Sequence, residues 1–401
     1  MNSSGYGSTF RGGGDARSDF MIRHVVEIGV SRVMRGLGRP SAPALMTYNV
    51  THRCNARCSM CEIHGWESDP AAELTAAQYS KFIRDPQLKN IEVIRITGGE
   101  PFVRADIADI YRYSAEATQC SIFYVTTNGS FPERAAEFIE SAASRGGRTK
   151  LHIQVSLDSM SDEHDRLRGV PGMREKAAET LRRLSELKKR HDFHAGINQT
   201  VMKSTLAEIE PVNEFARGLG LGHSLFVGAA LHEGKTLDGV DPSVRAMGFE
   251  SQDGMSAAEF DEFYEKHKLL KSVEKDAAAS AFLRRVSEEY LNEGGRNRAV
   301  LGKQSPMPPC MAMFSHFRML PDGKIVSCSA FRSTPAGSVS ESSFSDIWLG
   351  DRADELRRKV LRCKGCWIEC DINPSVFYSG DIIGWFVKKV MTDSGFRKRY
   401  L

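Results

Sequence analysis

Three cysteines, Cys54, Cys58 and Cys61, stand close together in the stretch CNARCSMC. Thiolates at these spacings in one loop suit an iron–sulfur cluster, in which each iron takes one cysteine. Three protein ligands then leave one iron open to bind another molecule. The alternative is a zinc site that takes His52 or His64 as its fourth ligand, because a structural zinc ion is held by four protein ligands.

A second group of cysteines lies near the end of the chain, around FRMLPDGKIVSCS, a hairpin-like stretch with a turn at PDG. Since a closed cluster uses four thiolates, five cysteines allow one cluster. The alternative here is a structural zinc knuckle. Cys120 stands alone beside an apolar run and is predicted to be a buried core thiol. The group consists of Cys310, Cys328, Cys363, Cys366 and Cys370.

The composition is that of a globular protein. The chain has 401 residues, of which 41% are hydrophobic and 26% charged, and its net charge of +3 gives no reason to expect nucleic acid. Residues 1–19 are Gly/Ser-rich and indicate a disordered tail rather than a signal peptide. No stretch approaches the roughly 20 apolar residues of a membrane span. The nine cysteines are therefore expected in the reducing cytoplasm, as thiols or metal ligands.

Short apolar runs alternate with helical patterns over residues 44–228. Strand–helix alternation predicts parallel βαβ units, and six of them predict an α/β fold with an open or partly closed barrel. In such a barrel the functional loops follow the carboxyl ends of the strands. The cysteine loop, TGGEP and TTNGS all stand at such ends. The runs are 44–51, 91–97, 121–127, 151–157, 194–202 and 221–227.

The spacing C-x3-C-x2-C after the first strand, with GGEP after the second, resembles the radical SAM superfamily over residues 44–227. The resemblance implies a partial (β/α)6 barrel over 44–228, in which Cys54, Cys58 and Cys61 hold a 4Fe–4S cluster. It also implies S-adenosylmethionine (SAM) on the open iron and a reductant such as flavodoxin or ferredoxin. Reductive cleavage of SAM then gives a 5′-deoxyadenosyl radical that abstracts hydrogen from a substrate.

The resemblance also implies which residues of this sequence contact SAM. Gly98 and Gly99 let the backbone approach the ligand closely, and this turn together with Glu100 meets the methionyl ammonium. Met60 stands at a position near adenine that is often aromatic in the family. The alternative for GGEP is an ordinary turn before Pro101.

A serine and an arginine resemble a pair that contacts the SAM carboxylate in sulfatase-maturating relatives. Ser156 ends the fourth strand, and Arg168 follows in SLDSMSDEHDRLRG. Arginine suits a carboxylate because its fork donates two hydrogen bonds. The alternative is a surface arginine that caps a helix. Asn128 in TTNG is predicted to reach the ribose or to form a turn only.

Residues 310–375 resemble the SPASM/twitch extension of radical SAM enzymes, a small α+β domain that carries auxiliary clusters. The resemblance implies one auxiliary 4Fe–4S cluster held by Cys310, Cys328, Cys363 and Cys366, while Cys370 replaces one of them or lies nearby without binding. In several relatives the substrate radical is oxidised, and the auxiliary cluster accepts its electron. An oxidoreductase that oxidises or cross-links its substrate is the resulting expectation.

Such an oxidation needs a base, and the sequence does not fix it. If Ser156 points into the barrel, strand parity turns His152 and Gln154 inward too; His223 on the sixth strand is another candidate. The substrate is left open among natural-product small molecules, peptides and lipids. The competing interpretation is a non-catalytic iron–sulfur or zinc-binding regulatory protein, which GGEP and the Ser156/Arg168 pair argue against.

Two basic amphipathic segments lie toward the ends of the chain, within 20–43 and 376–401. In residues 20–39 the apolar side chains recur at helical spacing among four arginines, and residues 382–400 contain IIGWFVKKVM and FRKRY. Such ends predict either peripheral membrane contact or packing on the barrel. Residues 229–309 are predicted to be a helical connector or cap. The apolar positions of the first segment are Ile22, Val26, Val30, Val33 and Leu37.

Overall fold

The computed structural model describes residues 26, 28–66, 69–228, 253–270, 278–363, 367 and 369–401. The predicted tail 1–19, Ile22 and residues 229–252 of the predicted connector lie outside these residues. Within the described part, the alternation of strands and helices over 44–228 is confirmed.

Six strands form one parallel sheet in the order β6–β5–β4–β3–β2–β1. Neighbours in the chain are neighbours in space, because each strand returns beside the previous one through a helical crossover. Their bounds are β1 (Leu45–Asn49), β2 (Val93–Thr97), β3 (Ile122–Thr127), β4 (Lys150–Ser156), β5 (His194–Val201) and β6 (Gly222–Val227).

The crossover helices cover one face of this sheet. Alternate strand residues such as Ile96, Val125 and Ile153 are fully buried on that side. A capping box between Thr75 and Gln78 starts the first of these helices. The helices are α2 (Ala76–Ile83), α3 (Ile107–Ala117), α4 (Pro132–Ala143), α5 (Glu163–Arg168), α6 (Met173–Lys188) and α7 (Ile209–Gly218), while α1 (28–36) precedes β1.

The other face of the strands, which we call the inner face, carries polar side chains. The register sets Thr47 opposite Arg95, Arg95 opposite Tyr124, Tyr124 opposite His152, and His152 opposite His194. The last four residues are half-buried, and we call them the inner row. Side chains alternate across a strand, so the same strands build both the apolar core and this polar wall.

The predicted C-terminal hairpin forms, but it joins the barrel sheet instead of standing apart. β7 (His316–Met319) pairs in parallel with β1, and β8 (Lys324–Val326) and β9 (Gly337–Ser338) follow in antiparallel order. Gly323, at φ 82°, occupies the turn between β7 and β8, in the left-handed region that glycine adopts easily. The SPASM-like part therefore shares its sheet with the barrel.

Helices of the C-terminal part build a second core around Tyr290, Trp367, Trp385 and Phe396. The ring of Trp367 comes so close that a Cβ atom on Gly294 would lie 1.8 Å from it. None of the helices in the described ranges is long and apolar enough to cross a bilayer. The helices are α8 (Ala257–Leu269), α9 (Ala278–Leu301), α10 (Phe344–Leu349), α11 (Asp351–Arg362), α12 (Glu369–Tyr378), α13 (Asp381–Thr392) and α14 (Ser394–Tyr400).

Candidate active site

The cysteine loop leaves β1 and is held by the turn that follows β2. Gly99 N donates to Thr51 O at 2.7 Å, and Glu100 N donates to Arg53 O at 2.9 Å. A Cβ atom on Gly98 would lie 2.3 Å from Thr51 O, and one on Gly99 would lie 2.0 Å from Arg53 O. The sequence predicted that these glycines let the backbone approach a ligand; the structure shows that they let two backbone segments of the protein approach each other.

The opposite side of the cysteine loop rests on the end of α5. Arg57 N donates to Arg168 O at 2.9 Å, and Ser59 N donates to Leu167 O at 2.8 Å. Gly169 ends the helix at φ 67°, where a Cβ atom would lie 2.6 Å from Arg57 O. Protein contacts on both sides therefore set the conformation of the loop.

The three thiols of the loop lie in a largely apolar setting. Cys58 is buried, Cys54 and Cys61 are half-buried, and Met60 and Met173 pack beside them. Burial raises the pKa of Cys54 to about 11 and also raises the pKa of Cys61, because a thiolate loses hydration there. A metal or a cationic partner is needed to stabilise these thiolates. The predicted contact of Met60 with adenine stays a prediction.

Two donors face the thiols: Arg168 Nη1 is 3.8 Å from Cys58 Sγ, and Asn128 Nδ2 is 3.9 Å from Cys54 Sγ. Groups of this kind stabilise anionic sulfur around iron–sulfur clusters. Among the described residues, no three His, Cys, Asp or Glu side chains converge as ligands of one metal ion would. The three thiols and the two donors that face them fit a cluster, in which each thiolate binds its own iron.

Arg168 is buried rather than a surface arginine. Its Nε and Nη2 donate to Asp158 Oδ2 and Oδ1 at 2.7 and 2.9 Å, and Asp158 also accepts from Thr200 N at 3.0 Å. Burial by itself lowers the pKa of Arg168, but Asp158 and Cys58 raise it above the ordinary value overall, so the side chain stays charged. Because Nε and Nη2 both donate to Asp158, Nη1 is the nitrogen that would contact the SAM carboxylate. That contact stays a prediction.

Glu100 is fully buried and accepts three hydrogen bonds. The donors are Thr127 Oγ1 at 2.7 Å, Asn128 N at 2.7 Å and Phe102 N at 3.0 Å. Burial raises the pKa of Glu100 to about 7 in spite of these bonds. The carboxylate orders the end of β3, and its predicted contact with the methionyl ammonium stays a prediction.

Hydrogen bonds between side chains connect the end of β3 to the cysteine loop. Asn128 Nδ2 donates to Asn55 Oδ1 at 2.9 Å, and Asn55 Nδ2 donates to Ser130 Oγ at 2.8 Å. Asn55 and Asp158 were not predicted from the sequence, although Asn55 follows the first cysteine directly and Asp158 stands two residues after Ser156. Asn128 thus bridges two loops and also forms the predicted turn, because its Oδ1 accepts from Ser130 N at 2.9 Å; its contact with the ribose stays a prediction.

Ser156 shares the inner face with His152 and Gln154, as strand parity predicted. Gln154 Oε1 and Asn198 Oδ1 are buried acceptors to which no described residue donates a hydrogen bond. Gly196 leaves space for Gln154 Oε1, because a Cβ atom at position 196 would lie only 2.8 Å from that oxygen. Buried polar atoms are normally satisfied, so these two fit a ligand that carries hydrogen-bond donors, as SAM does.

His223 lies on the other side of the sheet. It stands opposite Ile197 of the core, with Nε2 2.9 Å from Gln199 Oε1 and Nδ1 3.3 Å from Asn213 Oδ1 of α7. Burial lowers the pKa of His223 to about 3. The interpretation of His223 as a candidate base is wrong, because the alternation along β6 turns it away from the inner face.

The auxiliary cysteines come from segments that meet beside β7. Cys310 precedes β7, Cys328 follows β8 and Cys363 follows α11. Burial raises the pKa of Cys310 to about 12, and the neighbouring Cys363 contributes to the rise. Cys366 lies outside the described residues, as does the side chain of Cys370. The set of four ligands therefore stays a prediction. Cys120 is buried, as predicted.

A buried ion pair connects the two cysteine groups. Arg318 on β7 donates to Asp371 Oδ1 at 3.0 Å and to Asn49 Oδ1 at 2.8 Å. Asp371 also accepts from Ser329 N at 3.3 Å, directly after Cys328. Asn49 ends β1, from which the cysteine loop departs. A continuous chain of polar contacts thus joins the auxiliary cysteines to the barrel.

Comparisons with known proteins agree with this arrangement. The pattern of the radical SAM superfamily matches residues 48–212, and that of the SPASM iron–sulfur cluster-binding domain matches residues 310–367. An AdoMet-dependent heme synthase of Methanosarcina barkeri is 28% identical over 325 residues, which cover 79% of this chain and 85% of that protein. A pre-heme d1 synthase of Dinoroseobacter shibae is 23% identical, with 83% and 80% covered.

Among solved structures, Streptococcus suis SuiB bound to S-adenosylmethionine is similar with a TM-score of 0.54 at 14% identity, covering 80% of this chain and 72% of SuiB. That likeness confirms the predicted fold. The two family matches identify 4Fe–4S clusters and SAM as the cofactors, for which Cys54, Cys58 and Cys61 form the fitting loop. The chain belongs to the radical SAM superfamily and carries a C-terminal SPASM iron–sulfur domain.

Proposed function

We propose that this radical SAM enzyme oxidises an anionic substrate held on the inner face, with one auxiliary cluster as the electron acceptor. When bound, the barrel cluster and SAM supply a 5′-deoxyadenosyl radical that abstracts a hydrogen atom from the substrate. The observation that carries the proposal is the inner row, Arg95, Tyr124, His152 and His194.

The inner row is a ladder of neighbouring side chains on four adjacent strands, and its ring pairs are tilted, by 31° between Tyr124 and His152 and by 38° between His152 and His194. The guanidinium of Arg95 lies over the ring of Tyr124, 5.7 Å from its centroid. The ring centroids of Tyr124 and His152 are 6.4 Å apart, and those of His152 and His194 are 4.4 Å apart. A row of this kind offers aromatic rings with a cation at one end, which suits an aromatic or conjugated group that bears a carboxylate.

The charge of the inner face supports an anionic substrate. No residue that alternates onto this face in β1–β7 is acidic. Arg318, which is paired with Asp371, and Arg95, whose guanidinium lies over the ring of Tyr124, both carry positive charge to this face. The two relatives described above are named for heme and pre-heme d1 synthesis, and a Bacillus subtilis relative that is 29% identical over 182 residues is named for subtilosin biosynthesis, so the names do not select one substrate class.

The position of Arg318 supports the electron transfer. Arg318 stands opposite Thr47, which stands opposite Arg95. Two strand spacings amount to about 10 Å, so a substrate on the inner row lies close to the polar chain that reaches Cys328 through Asp371. This placement supports electron transfer from a substrate on the inner row to an auxiliary cluster.

Activity-guided fractionation tests the proposal. The reconstituted enzyme is supplied with SAM and dithionite without oxygen, and small-molecule extracts of the source cells are separated on an anion exchanger. We expect the retained, anionic fraction to stimulate 5′-deoxyadenosine formation and Arg95→Gln to reduce that stimulation about tenfold or more. Arg217→Gln, an exposed change on α7, is the matched control. Stimulation by the unretained fraction alone would contradict an anionic substrate, and no SAM cleavage at all would favour the regulatory interpretation.

A further inference from the structure

Exposed apolar side chains are concentrated on two neighbouring helices. Of the eleven large apolar residues that are exposed in the described part of the chain, seven lie on or beside α1 and α13. The most exposed of them are Val33 at 63%, Leu37 at 67% and Met391 at 70%. We call these seven residues the apolar face: Val26, Val30, Val33, Leu37, Ile383, Val387 and Met391.

Helix α1 is oriented opposite to an ordinary surface helix. Its polar side faces the protein: Ser31 is fully buried with its hydroxyl 3.2 Å from Ser41 Oγ, and Arg35 Nε donates to Cys310 O at 2.9 Å. The residues at spacings of three and four that form its apolar stripe point away from the body. An amphipathic helix normally buries its apolar stripe, whereas the described residues leave this one exposed.

The second helix adjoins the first. Gly380, just before α13, approaches α1 so closely that a Cβ atom on it would lie 3.0 Å from Ile28 Cγ2 and 3.5 Å from Arg32 Nη1. Helix α13 buries Trp385 in the C-terminal core and exposes Ile383, Val387 and Met391 at successive turns on another side. The exposed stripes of both helices therefore belong to one region of the surface.

The charge around the apolar face is positive. Residues 26–40 contain three arginines and one acidic residue, Glu27, and residues 383–392 contain two lysines and no acidic residue, with Asp381 and Asp393 on either side. Arg32, Arg39 and Lys388 are exposed within them, and Arg397 and Lys398 follow on α14. Apolar side chains among basic ones are typical of helices that lie in the headgroup region of an anionic membrane.

We infer that the apolar face docks this enzyme onto the surface of an anionic phospholipid bilayer, with α1 and α13 lying in the headgroup region. Helix α13 has twelve residues and is about 18 Å long, too short to cross the hydrocarbon core. Binding is therefore peripheral. The docked helix α1 also contacts the auxiliary site, because Arg35 Nε donates a hydrogen bond to the backbone carbonyl of Cys310. The inference stands independently of which substrate occupies the inner row.

Vesicle flotation of the full-length, cluster-loaded protein tests the docking. We expect the protein to float with vesicles that contain about 30% phosphatidylglycerol in phosphatidylcholine, and to float at least about tenfold less with phosphatidylcholine alone or at about 1 M salt. The double variant Val33→Glu with Met391→Glu should lose flotation. Leu349→Glu with Leu361→Glu adds the same charge at exposed apolar positions elsewhere and should float as wild type does.

A second pair of variants separates charge from apolar contact. Arg39→Gln with Lys388→Gln should weaken flotation on anionic vesicles, whereas Lys176→Gln with Arg217→Gln should not. Iron content and SAM cleavage without substrate should be unchanged in all four double variants, which shows that they are folded. Equal flotation on neutral vesicles, or equal loss in the Leu349/Leu361 variant, would overturn the inference. So would a dimer in light scattering that Val33→Glu dissociates, since the apolar face would then bind a second copy of the chain.

Discussion

Asp158 and Arg168 form a two-bond ion pair beneath the cysteine loop, with side-chain exposures of 0% and 10%. The pair joins the carboxyl end of β4 to the end of α5, and the third nitrogen of the same guanidinium faces Cys58 Sγ at 3.8 Å. One buried cation therefore holds the backbone that supports the loop and also stabilises a thiolate in it. This double role distinguishes Arg168 from the exposed arginines of the helices.

Removal of one partner of this pair should be costly. Asp158→Asn leaves the buried Arg168 charge without its carboxylate, and breaking such a pair typically costs about 3–5 kcal/mol of unfolding free energy. Urea denaturation measures the loss. Glu163→Gln breaks the exposed pair with Arg166 on the same helix and should have little effect. Equal stability losses in the two variants would show that Asp158 is not needed to balance Arg168.

The GGEP turn should tolerate no side chain at its second glycine. A Cβ atom in Gly99→Ala would lie 2.0 Å from Arg53 O, so the turn and the cysteine loop must separate. We expect lower iron content in the barrel site and SAM affinity reduced about tenfold or more. Gly218→Ala, where no atom lies within 4 Å, is the control. Normal iron content and normal SAM binding in Gly99→Ala would refute the role assigned to this contact.

The buried carboxyl group of Glu100 should make stability depend on pH. Its pKa in the folded protein, about 7, is above the ordinary 4.5, so the folded state binds the proton more tightly than the unfolded state. The free energy of unfolding should therefore fall as the pH rises between these values, by about 3 kcal/mol in total.

Urea unfolding of the cluster-free protein at about pH 5 and about pH 8 measures this dependence. Glu100→Gln should lose less stability between the two pH values than wild type does. Glu137→Gln, on the exposed side of α4, should behave as wild type. A wild-type protein that becomes more stable over the same range would contradict the assignment.

The barrel cysteines should be needed for SAM cleavage but not for the auxiliary cluster. Cys54→Ala, Cys58→Ala and Cys61→Ala each remove one of the three thiolates of the cysteine loop. We expect no 5′-deoxyadenosine and about four irons per monomer remaining. Anaerobic reconstitution with iron and sulfide assays measures both quantities. Undiminished 5′-deoxyadenosine in any of the three variants would remove this loop from the mechanism.

Replacing Cys363 and Cys366 together should separate SAM cleavage from product formation. The auxiliary cluster should be lost, whereas the barrel loop keeps its own ligands and its contacts with Gly99 and α5. We expect 5′-deoxyadenosine to form under dithionite while turnover of the stimulating fraction to product stops. Loss of both activities, or an insoluble protein, would indicate a structural site, and full product formation would end the oxidative interpretation.

Local patterns in the sequence were enough to predict the strands, the inner position of His152 and Gln154, and the cysteine loop, because alternation and spacing are local. Contacts across the fold were not predictable in this way. The partner of Arg168 depends on how β4 and α5 meet, and the pairing of β1 with β7 leaves no local signal. For α1, periodicity predicted an apolar stripe but carries no information on which side faces the protein, and the structure turns the stripe outward.

The pairing of β7 with β1 also has a consequence for biosynthesis. On the ribosome, β1 and β2 emerge early, whereas the strand that covers the other edge of β1 is made much later, as Leu45 pairs with His316. Until then β1 presents an unpaired edge beside the cysteine loop, and such edges promote association between nascent chains. Closure over so long a stretch of chain is slow. The sheet is completed only after β7 has been synthesised, so the barrel of a chain that stops before β7 will be prone to aggregation.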